Sequence, residues 1–220
     1  MELLLDTANL EKIRGALDKY PVSGVTTNPS ILGKEGSADF ISTINSILEE
    51  IGTLPLHVQV VGKTKDEMVG EGLSLSKLSR NIYVKVPVTK DGLGAIKELS
   101  KAGVKVTATA IYSSIQGILA SIAGARYLAV YCNRMEGSGI DYENVIDEIS
   151  STVKDSVVLG ASFKNAGQVV KAFYAGARAV TVDPGLLDSA LSSPLIESAV
   201  GAFRSDWDEK YGGRSISELV

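Results

Sequence analysis

Lys85 lies in the middle of an apolar run, IYVKVPVT at residues 82–89, which is typical of a short strand buried on both faces. Because side chains alternate along a strand, Tyr83, Lys85 and Pro87 face one way and the intervening aliphatic residues face the other. An ammonium group among apolar neighbours is costly unless it is paired or deprotonated. A neutral lysine amine attacks ketone carbonyls, and the resulting imine stabilises the carbanion that remains when a nearby carbon–carbon bond breaks. The sequence therefore predicts Schiff-base chemistry at Lys85 or, as the structural alternative, an ion pair with Asp6.

Further polar residues interrupt other apolar runs near the points where those runs end. They are Asp6, Thr26, Asn28, Gln59, Thr107, Thr109, Tyr131, Asn133 and Ser162. Where two of them share a run their spacing is two, so both would face the same side. For any one of these residues a turn or a helix cap is an equally good explanation, and Asp6 is also suited to cap the first helix. Together they predict one pocket around Lys85.

Several of these residues are suited to general acid–base catalysis beside a Schiff base. We expect Asp6 to position the amine and to transfer protons. Gln59, Thr109 and Tyr131 have the groups needed to hold the water or substrate hydroxyl that takes part. This chemistry needs no metal and no organic cofactor. His57 is the only histidine, which excludes a multi-histidine metal site, and we interpret it as structural.

Strand-like and helix-like segments alternate along the whole chain. The predicted strands cover residues 2–6, 24–28, 56–61, 82–89, 105–111, 127–133, 157–163 and 179–183. The predicted helices cover residues 9–19, 38–51, 64–79, 90–102, 113–122, 141–153, 165–175 and 185–191. Eight such units predict an α/β fold, a (β/α)8 TIM barrel, whose strands carry the site at their C-terminal ends. An open doubly wound sheet is the rival, but no G-x-G-x-x-G follows a strand, and residues 137–139 are interpreted as a loop.

An additional amphipathic segment follows the eighth unit. Ser193 suits an N-cap and Pro194 the first helical position. The apolar stripe of this segment consists of Ile196, Val200, Phe203 and Trp207. Such a stripe is suited to pack on its own barrel, on a neighbouring subunit or over the mouth of the site, and the sequence does not choose between them. We expect a single domain over residues 1–220, with residues 193–220 forming an extra C-terminal helix and tail.

Composition limits the partners and the compartment. The chain has 220 residues and a formal net charge of -4 without a Lys/Arg cluster, which argues against nucleic acid or an anionic membrane as a partner. Cys132 is the only cysteine, so no intrachain disulfide is possible. The first residues, MELLLDTAN, are acidic where a secretory signal is basic, and no apolar run approaches transmembrane length. We therefore expect a cytoplasmic protein.

Six segments together resemble the transaldolase family: LDTAN (5–9), GVTTNPSI (24–31), VKVPVT (84–89), the strand around Thr109, YCNR (131–134) and GASFKN (160–165). The resemblance implies an α/β barrel in which Lys85 forms the Schiff base and Asp6 transfers protons. It implies that Thr109 holds the catalytic water. With Thr26 and Asn133 from the polar positions above, the expected substrate-binding residues are Thr26, Asn28, Asn133, Arg134, Ser162 and Lys164. Among them, Arg134 and Ser162 would bind the substrate phosphate, and Lys164 stands where many transaldolases have a second arginine.

Two positions distinguish members of this family. Transaldolases resemble one another in having Glu at the position of Gln59 and Phe at that of Tyr131, whereas the aldolases of the family have Gln and Tyr. The resemblance therefore implies a class I aldolase that cleaves fructose 6-phosphate to dihydroxyacetone and glyceraldehyde 3-phosphate. The alternatives are a transaldolase that transfers the same three-carbon unit and a non-catalytic sugar-phosphate binding barrel. The family also implies a homo-oligomer, a pentamer or a decamer.

Overall fold

Eight parallel strands form a closed barrel in which neighbouring strands follow one another in chain order. The structure is a computed structural model that describes residues 1–35 and 39–220. The strands are β1 (Glu2–Asp6), β2 (Gly24–Thr26), β3 (Leu56–Gln59), β4 (Ile82–Pro87), β5 (Val106–Ile111), β6 (Tyr127–Tyr131), β7 (Val157–Ala161) and β8 (Ala179–Val182). The last strand pairs with the first, with Leu3 opposite Val180, and closes the sheet. The (β/α)8 barrel is therefore confirmed, and the open doubly wound sheet is wrong.

At least one helix follows every strand. The helices are α1 (Leu10–Lys19), α2 (Pro29–Lys34), α3 (Phe40–Ile51), α4 (Lys65–Ser76), α5 (Lys90–Lys101), α6 (Ser114–Ile122), α7 (Cys132–Gly137), α8 (Tyr142–Thr152), α9 (Ala166–Tyr174), α10 (Pro184–Leu191) and α11 (Pro194–Tyr211). A short 3-10 helix covers Ile216–Glu218. Residue 38, the predicted start of the helix that becomes α3, lies outside the described residues. Within the described ranges no helix has the length and apolar character needed to cross a membrane.

The chain divides into two compact units, Met1–Pro184 and Gly185–Val220. The first unit contains the barrel. In the second unit the Ser193 side chain caps α11 by accepting a hydrogen bond from the Leu195 N–H at 3.3 Å, and Pro194 occupies the first helical turn. The extra C-terminal helix is thus confirmed. A single domain over the whole chain stays a prediction.

The two faces of β4 show how the barrel is packed. Val84 points outward to the helices, and Gly72 of α4 lies so close to both Val84 and Leu99 of α5 that a larger residue would displace them. Tyr83 faces inward against the apolar interior of the barrel. That interior consists of Leu4, Tyr127, Ala129, Val157, Leu159, Ala161 and Ala179. Since these side chains fill the interior, the inward-facing polar residues nearer the C-terminal ends are left to line a pocket.

The structure corrects the predicted end of the sixth strand. The strand was predicted to reach Asn133, but it ends at Tyr131 and α7 begins at Cys132. Cys132 and Met135 are both fully buried, and their spacing of three suits a helical turn rather than a strand. Asn133 therefore does not share a strand face with Tyr131. The interpretation of Gly137 as a loop residue is also wrong, because Gly137 is the last residue of α7.

The second, third, fourth, seventh and eighth strands also end before their predicted last residues, and the ends of the second and third bear directly on the site. The second ends at Thr26 because the Asn28 side chain caps α2, accepting from the Ile31 N–H at 3.0 Å. The third ends at Gln59, since the Val61 N–H donates to the Glu71 carboxylate at 2.7 Å instead of to a neighbouring strand. Both corrections place a loop directly after a residue of the predicted site.

Candidate active site

A cavity of about 340 Å³ opens where the C-terminal ends of the strands meet. This volume is in the range of small-molecule sites, and the location is where (β/α)8 enzymes bind their substrates. Seven of the predicted site residues line it: Asp6, Asn28, Gln59, Lys85, Tyr131, Arg134 and Ser162. Residues from β1, β3, β4 and β6 and from the segments that follow β2, β6 and β7 are thus brought together although they are far apart in sequence.

Lys85 is the centre of the cavity. Its side chain is 5% exposed, and Nζ donates to the carbonyl oxygen of Thr27 at 2.8 Å. Burial lowers the pKa of Lys85, and the Asp6 carboxylate opposes that shift. Within the described part of the chain no ion pair joins Lys85 to Asp6, so the structural alternative does not explain this lysine. The environment favours a neutral, nucleophilic amine.

Asp6, at the end of β1, is the carboxylate of the site. Its Oδ1 accepts a hydrogen bond from Thr26 Oγ1 at 2.8 Å. Burial raises the pKa of Asp6, whereas the positive charge of Lys85 and the Thr26 hydrogen bond lower it. The alternative in which Asp6 caps the first helix is wrong, because Asn9 caps α1 and accepts from the Lys12 N–H at 3.0 Å.

Tyr131 and Thr109 form a hydroxyl pair on the side of β5 and β6. Thr109 Oγ1 donates to the Tyr131 hydroxyl at 3.0 Å, and the Arg134 guanidinium lies over the Tyr131 ring at 5.1 Å from its centroid. Burial raises the pKa of Tyr131, which outweighs the lowering by Thr109 and Arg134, so the phenol is protonated at neutral pH. Ala110, with φ 57°, lies at a register shift of β5 next to Thr109 and lines the cavity.

Gln59 is opposite Lys85 in the β3–β4 ladder. Its Oε1 is buried and has no hydrogen-bond partner within the described ranges. Since a buried acceptor without a partner is unfavourable, this oxygen is suited to receive a hydrogen bond from a bound hydroxyl or water.

The predicted substrate-binding residues are divided between the cavity and its surroundings. Arg134 and Ser162 line the cavity, and Ser162, with φ 62°, adopts a left-handed conformation that is uncommon for serine. Asn133 instead accepts from Gln168 Nε2 at 3.1 Å, and Lys164 is exposed outside the lining. Thr26 is buried outside the lining and is connected to the cavity through the hydrogen bond that it donates to Asp6.

Sequence reasoning missed Thr181 of β8, which lines the cavity and is within 2.7 Å of Thr26. Its signal was a single hydroxyl in the apolar run AVTV, at a position that the two-residue alternation turns inward. In the part of the chain that the structure describes, no cluster of three or more His, Cys, Asp or Glu side chains could hold a metal ion.

A larger cavity of about 590 Å³ lies beside α3 and α4 but lacks comparable chemistry. Its lining is mostly apolar, with Phe40 and Leu75 among the side chains. The carboxylate of Glu71 in this lining already accepts from the backbone N–H groups of Val61 and Gly62. The cavity around Lys85 is therefore the candidate active site.

A (β/α)8 barrel with a buried lysine that lines the cavity at the C-terminal ends of its strands has the arrangement expected of Schiff-base barrel enzymes. The sequence model of the family described as "Transaldolase/Fructose-6-phosphate aldolase" matches residues 3–213, and the chain belongs to this family. The family resemblance seen in the sequence is confirmed.

Known proteins agree with this assignment. A protein of Streptococcus pneumoniae named "Probable fructose-6-phosphate aldolase" is 43% identical over 222 residues, which cover 98% of this chain and 100% of that protein. Two solved structures share the fold. A cube-shaped protein cage designed by fusing symmetric oligomeric domains has a TM-score of 0.63 at 12% identity, covering 96% of this chain and 78% of that one. Thiamine phosphate pyrophosphorylase from Pyrococcus furiosus has a TM-score of 0.58 at 14% identity, with coverages of 82% and 85%.

Proposed function

We propose that this protein is a class I aldolase that reversibly cleaves fructose 6-phosphate to dihydroxyacetone and glyceraldehyde 3-phosphate. The observation that carries the proposal is that Tyr131, whose hydroxyl accepts a hydrogen bond from the buried Thr109, lines the same cavity as the buried Lys85. The lysine supplies the Schiff base, and a protonated tyrosine supplies the acid that lets the three-carbon product leave. The 43% identical relative that carries an aldolase name supports the same assignment.

In the forward direction, neutral Lys85 attacks the ketone carbon of the open-chain sugar, and Asp6 donates the proton with which the carbinolamine loses water. In the resulting iminium ion, the Asp6 carboxylate removes the proton from the hydroxyl on the β-carbon, which breaks the bond between the α- and β-carbons and releases glyceraldehyde 3-phosphate. The electron pair of that bond enters the iminium group, which becomes a neutral enamine. Tyr131 then protonates the α-carbon, and water held by Gln59 and Thr109 hydrolyses the imine to dihydroxyacetone.

Polar groups around the cavity suit a phosphorylated sugar. Arg134 and Ser162 bind the phosphate, with the guanidinium supplying the charge. Asn28 uses Oδ1 to cap α2, which leaves its Nδ2 group for a substrate hydroxyl. Asn133 and Lys164 lie outside the lining and support the phosphate from the surroundings. Thr26 acts through Asp6.

A transaldolase is the second candidate, because the family whose model matches includes both activities. The test is release of glyceraldehyde 3-phosphate from fructose 6-phosphate with and without erythrose 4-phosphate. We expect release without the acceptor. Release that requires the acceptor would make the protein a transaldolase, and no release under either condition would make it a binding protein.

Borohydride reduction in the presence of substrate tests the nucleophile. We expect Lys85→Ala to abolish covalent trapping and turnover. Lys90→Ala, which removes an exposed lysine at the start of α5, is the matched control and should be trapped like the parent protein. Trapping that persists in Lys85→Ala would overturn the assignment of the Schiff base.

We further propose a single-domain chain that works as a cytoplasmic homo-oligomer, a pentamer or a decamer. Support comes from α11, where Leu195 is 81% exposed and Phe203 is 72% exposed, since large apolar side chains in a row commonly mark an interface. The sole cysteine, Cys132, fits a reducing compartment. Sedimentation velocity that gives only the monomer at micromolar concentration would contradict the oligomer.

A further inference from the structure

Thr181 is connected to the active-site carboxylate through a second threonine. Its Oγ1 lies 2.7 Å from Thr26 Oγ1, and Thr26 Oγ1 lies 2.8 Å from Asp6 Oδ1. The three residues belong to β8, β2 and β1, and β1 pairs with both of the others. Thr26 and Thr181 are both buried, so bulk water does not compete for these hydrogen bonds.

The donors in this chain of hydroxyls can be assigned by counting protons. The ionised carboxyl group only accepts, so Thr26 donates its single hydroxyl proton to the charged form of Asp6. The Thr26 oxygen can then only accept from Thr181, which means that Thr181 donates. Each hydroxyl that donates becomes a stronger donor when its own oxygen accepts. The hydrogen bonds therefore run from Thr181 to Thr26 and from Thr26 to Asp6. They occupy Oδ1 of Asp6 and leave Oδ2 for proton transfer.

We propose that Thr181 is a positioning residue that acts through Thr26 to orient the Asp6 carboxylate and to stabilise its charged form. The inference rests on the proposed role of Asp6 in proton transfer. Thr181 has no proton to give to the substrate while it donates to Thr26, so its effect is indirect.

The charges around Asp6 determine how loss of the Thr181 hydroxyl would change the pKa of Asp6. Lys85 on β4, Asp183 after β8 and Tyr131 on β6 are the titratable groups that interact with Asp6. Burial raises the pKa of Asp6, Lys85 and the Thr26 hydrogen bond lower it, and Asp183 raises it. Removal of the Thr181 hydroxyl leaves these charges in place and weakens only the hydrogen bond from Thr26. The pKa of Asp6 should therefore rise further.

The experiment compares Thr181→Val, which keeps the shape and removes the hydroxyl, with Thr181→Ser, which keeps the hydroxyl. We expect the acidic limb of the kcat/KM profile for fructose 6-phosphate cleavage to move up by about 0.5 to 1 pH unit in Thr181→Val, the shift expected for roughly one hydrogen bond. Thr181→Ser should restore the parent profile. Borohydride trapping at Lys85 should persist in both variants. Thr181→Ala serves as a second hydroxyl-free variant if the valine variant does not fold.

A double-mutant cycle with Thr26→Val separates an indirect role from a direct one. If Thr181 acts through Thr26, Thr181→Val should cause no further shift in the Thr26→Val background. Ser156→Ala is the matched control, because Ser156 is a buried hydroxyl whose two hydrogen bonds go to Ser121 and Ala125 outside the cavity, and its profile should equal the parent profile.

An unshifted acidic limb in Thr181→Val, or additive shifts in the double variant, would overturn the inference. Failure of the proposed function gives a different result, namely no turnover in the parent protein. In that case, NMR titration of the Asp6 carboxyl carbon in the parent and in Thr181→Val decides. A higher pKa in the variant supports the chain of hydroxyls, and an equal pKa contradicts it.

Discussion

Lys85 and Asp6 have pKa values that are displaced toward each other. Burial lowers the pKa of the lysine and raises that of the aspartate, while the opposite charge of each partner limits the shift of the other. Protons pass between donors and acceptors most efficiently when their pKa values lie near the working pH. A Schiff-base cycle requires the amine to lose a proton and the carboxyl to give one. Burial of the two side chains would therefore favour both proton transfers of the proposed cycle.

Replacing Tyr131 by phenylalanine should change the fate of the enamine. The ring would remain under Arg134, but the acid for the α-carbon and the acceptor for Thr109 would be lost. Without erythrose 4-phosphate we expect release of glyceraldehyde 3-phosphate to fall by about a hundredfold, the lower range for loss of a general acid. Transfer to the acceptor should fall less. The measurement is the ratio of the two rates.

Tyr174→Phe is the control for this substitution, since Tyr174 is 89% exposed at the end of α9 and should leave both rates unchanged. A ratio in Tyr131→Phe equal to that of the parent protein would remove Tyr131 from the proposed protonation step.

At the scale of single elements, the loops around the cavity are held by glutamines at the third position of the following helices. Gln116 in α6 accepts from the Tyr112 N–H at 2.8 Å, and Gln168 in α9 accepts from the Lys164 N–H, also at 2.8 Å. In each case the donor is the residue before the N-cap. The glutamine thus gives a partner to a backbone N–H just outside the helix, and it fixes the loop that follows β5 or β7.

The sequence predicted the elements whose apolar residues follow either the strand or the helix period. The prediction failed where one run of residues fits both periods. Lys85 and Gln59 were found because a polar residue inside an apolar strand is informative in itself. The run YLAVYCN alternates like a strand through Asn133, and only the three-dimensional packing of Cys132 and Met135 shows that α7 begins there. Thr181 was missed because one threonine in a strand is ordinary, and its importance depends on Thr26 from another part of the chain.

Gly92 fixes the junction between β4 and α5, and its replacement by alanine should disturb both. An added Cβ would clash with the carbonyl oxygen of Pro87, two residues beyond Lys85 on β4. The helix would have to move, breaking its cap at Thr89. We expect a loss of about 2 to 4 kcal/mol in the free energy of unfolding and lower kcat, measured by urea denaturation and turnover.

Gly15→Ala is the matched substitution for Gly92→Ala. Gly15 lies in α1, and an added Cβ there meets nothing within 4 Å. Alanine should therefore stabilise the helix by up to about 1 kcal/mol without affecting turnover. Equal stability of the Gly92→Ala and Gly15→Ala variants would show that the Pro87 contact does not constrain this junction.

At the scale of the whole molecule, the interior of the barrel and the active site are electrostatically coupled. His57 is fully buried one layer below Gln59, stacks on Tyr83 at 4.8 Å between ring centroids, and has its Nδ1 2.8 Å from Thr107 Oγ1. Its Nε2 has no hydrogen-bond partner in the described parts of the chain. Burial, together with the nearby charge of Lys85, lowers the pKa of His57 to about 3. The imidazole is therefore neutral throughout the pH range in which the enzyme would work.

The stability of the molecule should consequently depend on pH through His57. In the unfolded chain the imidazole has a pKa of about 6.5 and binds a proton below that pH, whereas the folded protein binds it only near pH 3. Between these values the unfolded state holds more protons, so the free energy of unfolding should fall as pH decreases, by up to about 1.4 kcal/mol per pH unit. Folding raises the pKa of Asp6, so above about pH 4 this residue makes the free energy of unfolding fall as the pH increases. Because Asp6 is present in the parent protein and in a His57 variant alike, its contribution cancels when the two are compared.

His57→Phe isolates this contribution, since the ring can still pack on Tyr83 and no longer titrates. In urea unfolding between pH 4 and pH 7, we expect the variant to be less stable at neutral pH, where Thr107 loses its partner, and to lose less stability on acidification than the parent protein. Thr107→Val removes the same hydrogen bond but keeps the imidazole, so its curve should run parallel to that of the parent. If the His57→Phe curve were parallel as well, burial of a neutral histidine would not be what makes this barrel sensitive to acid.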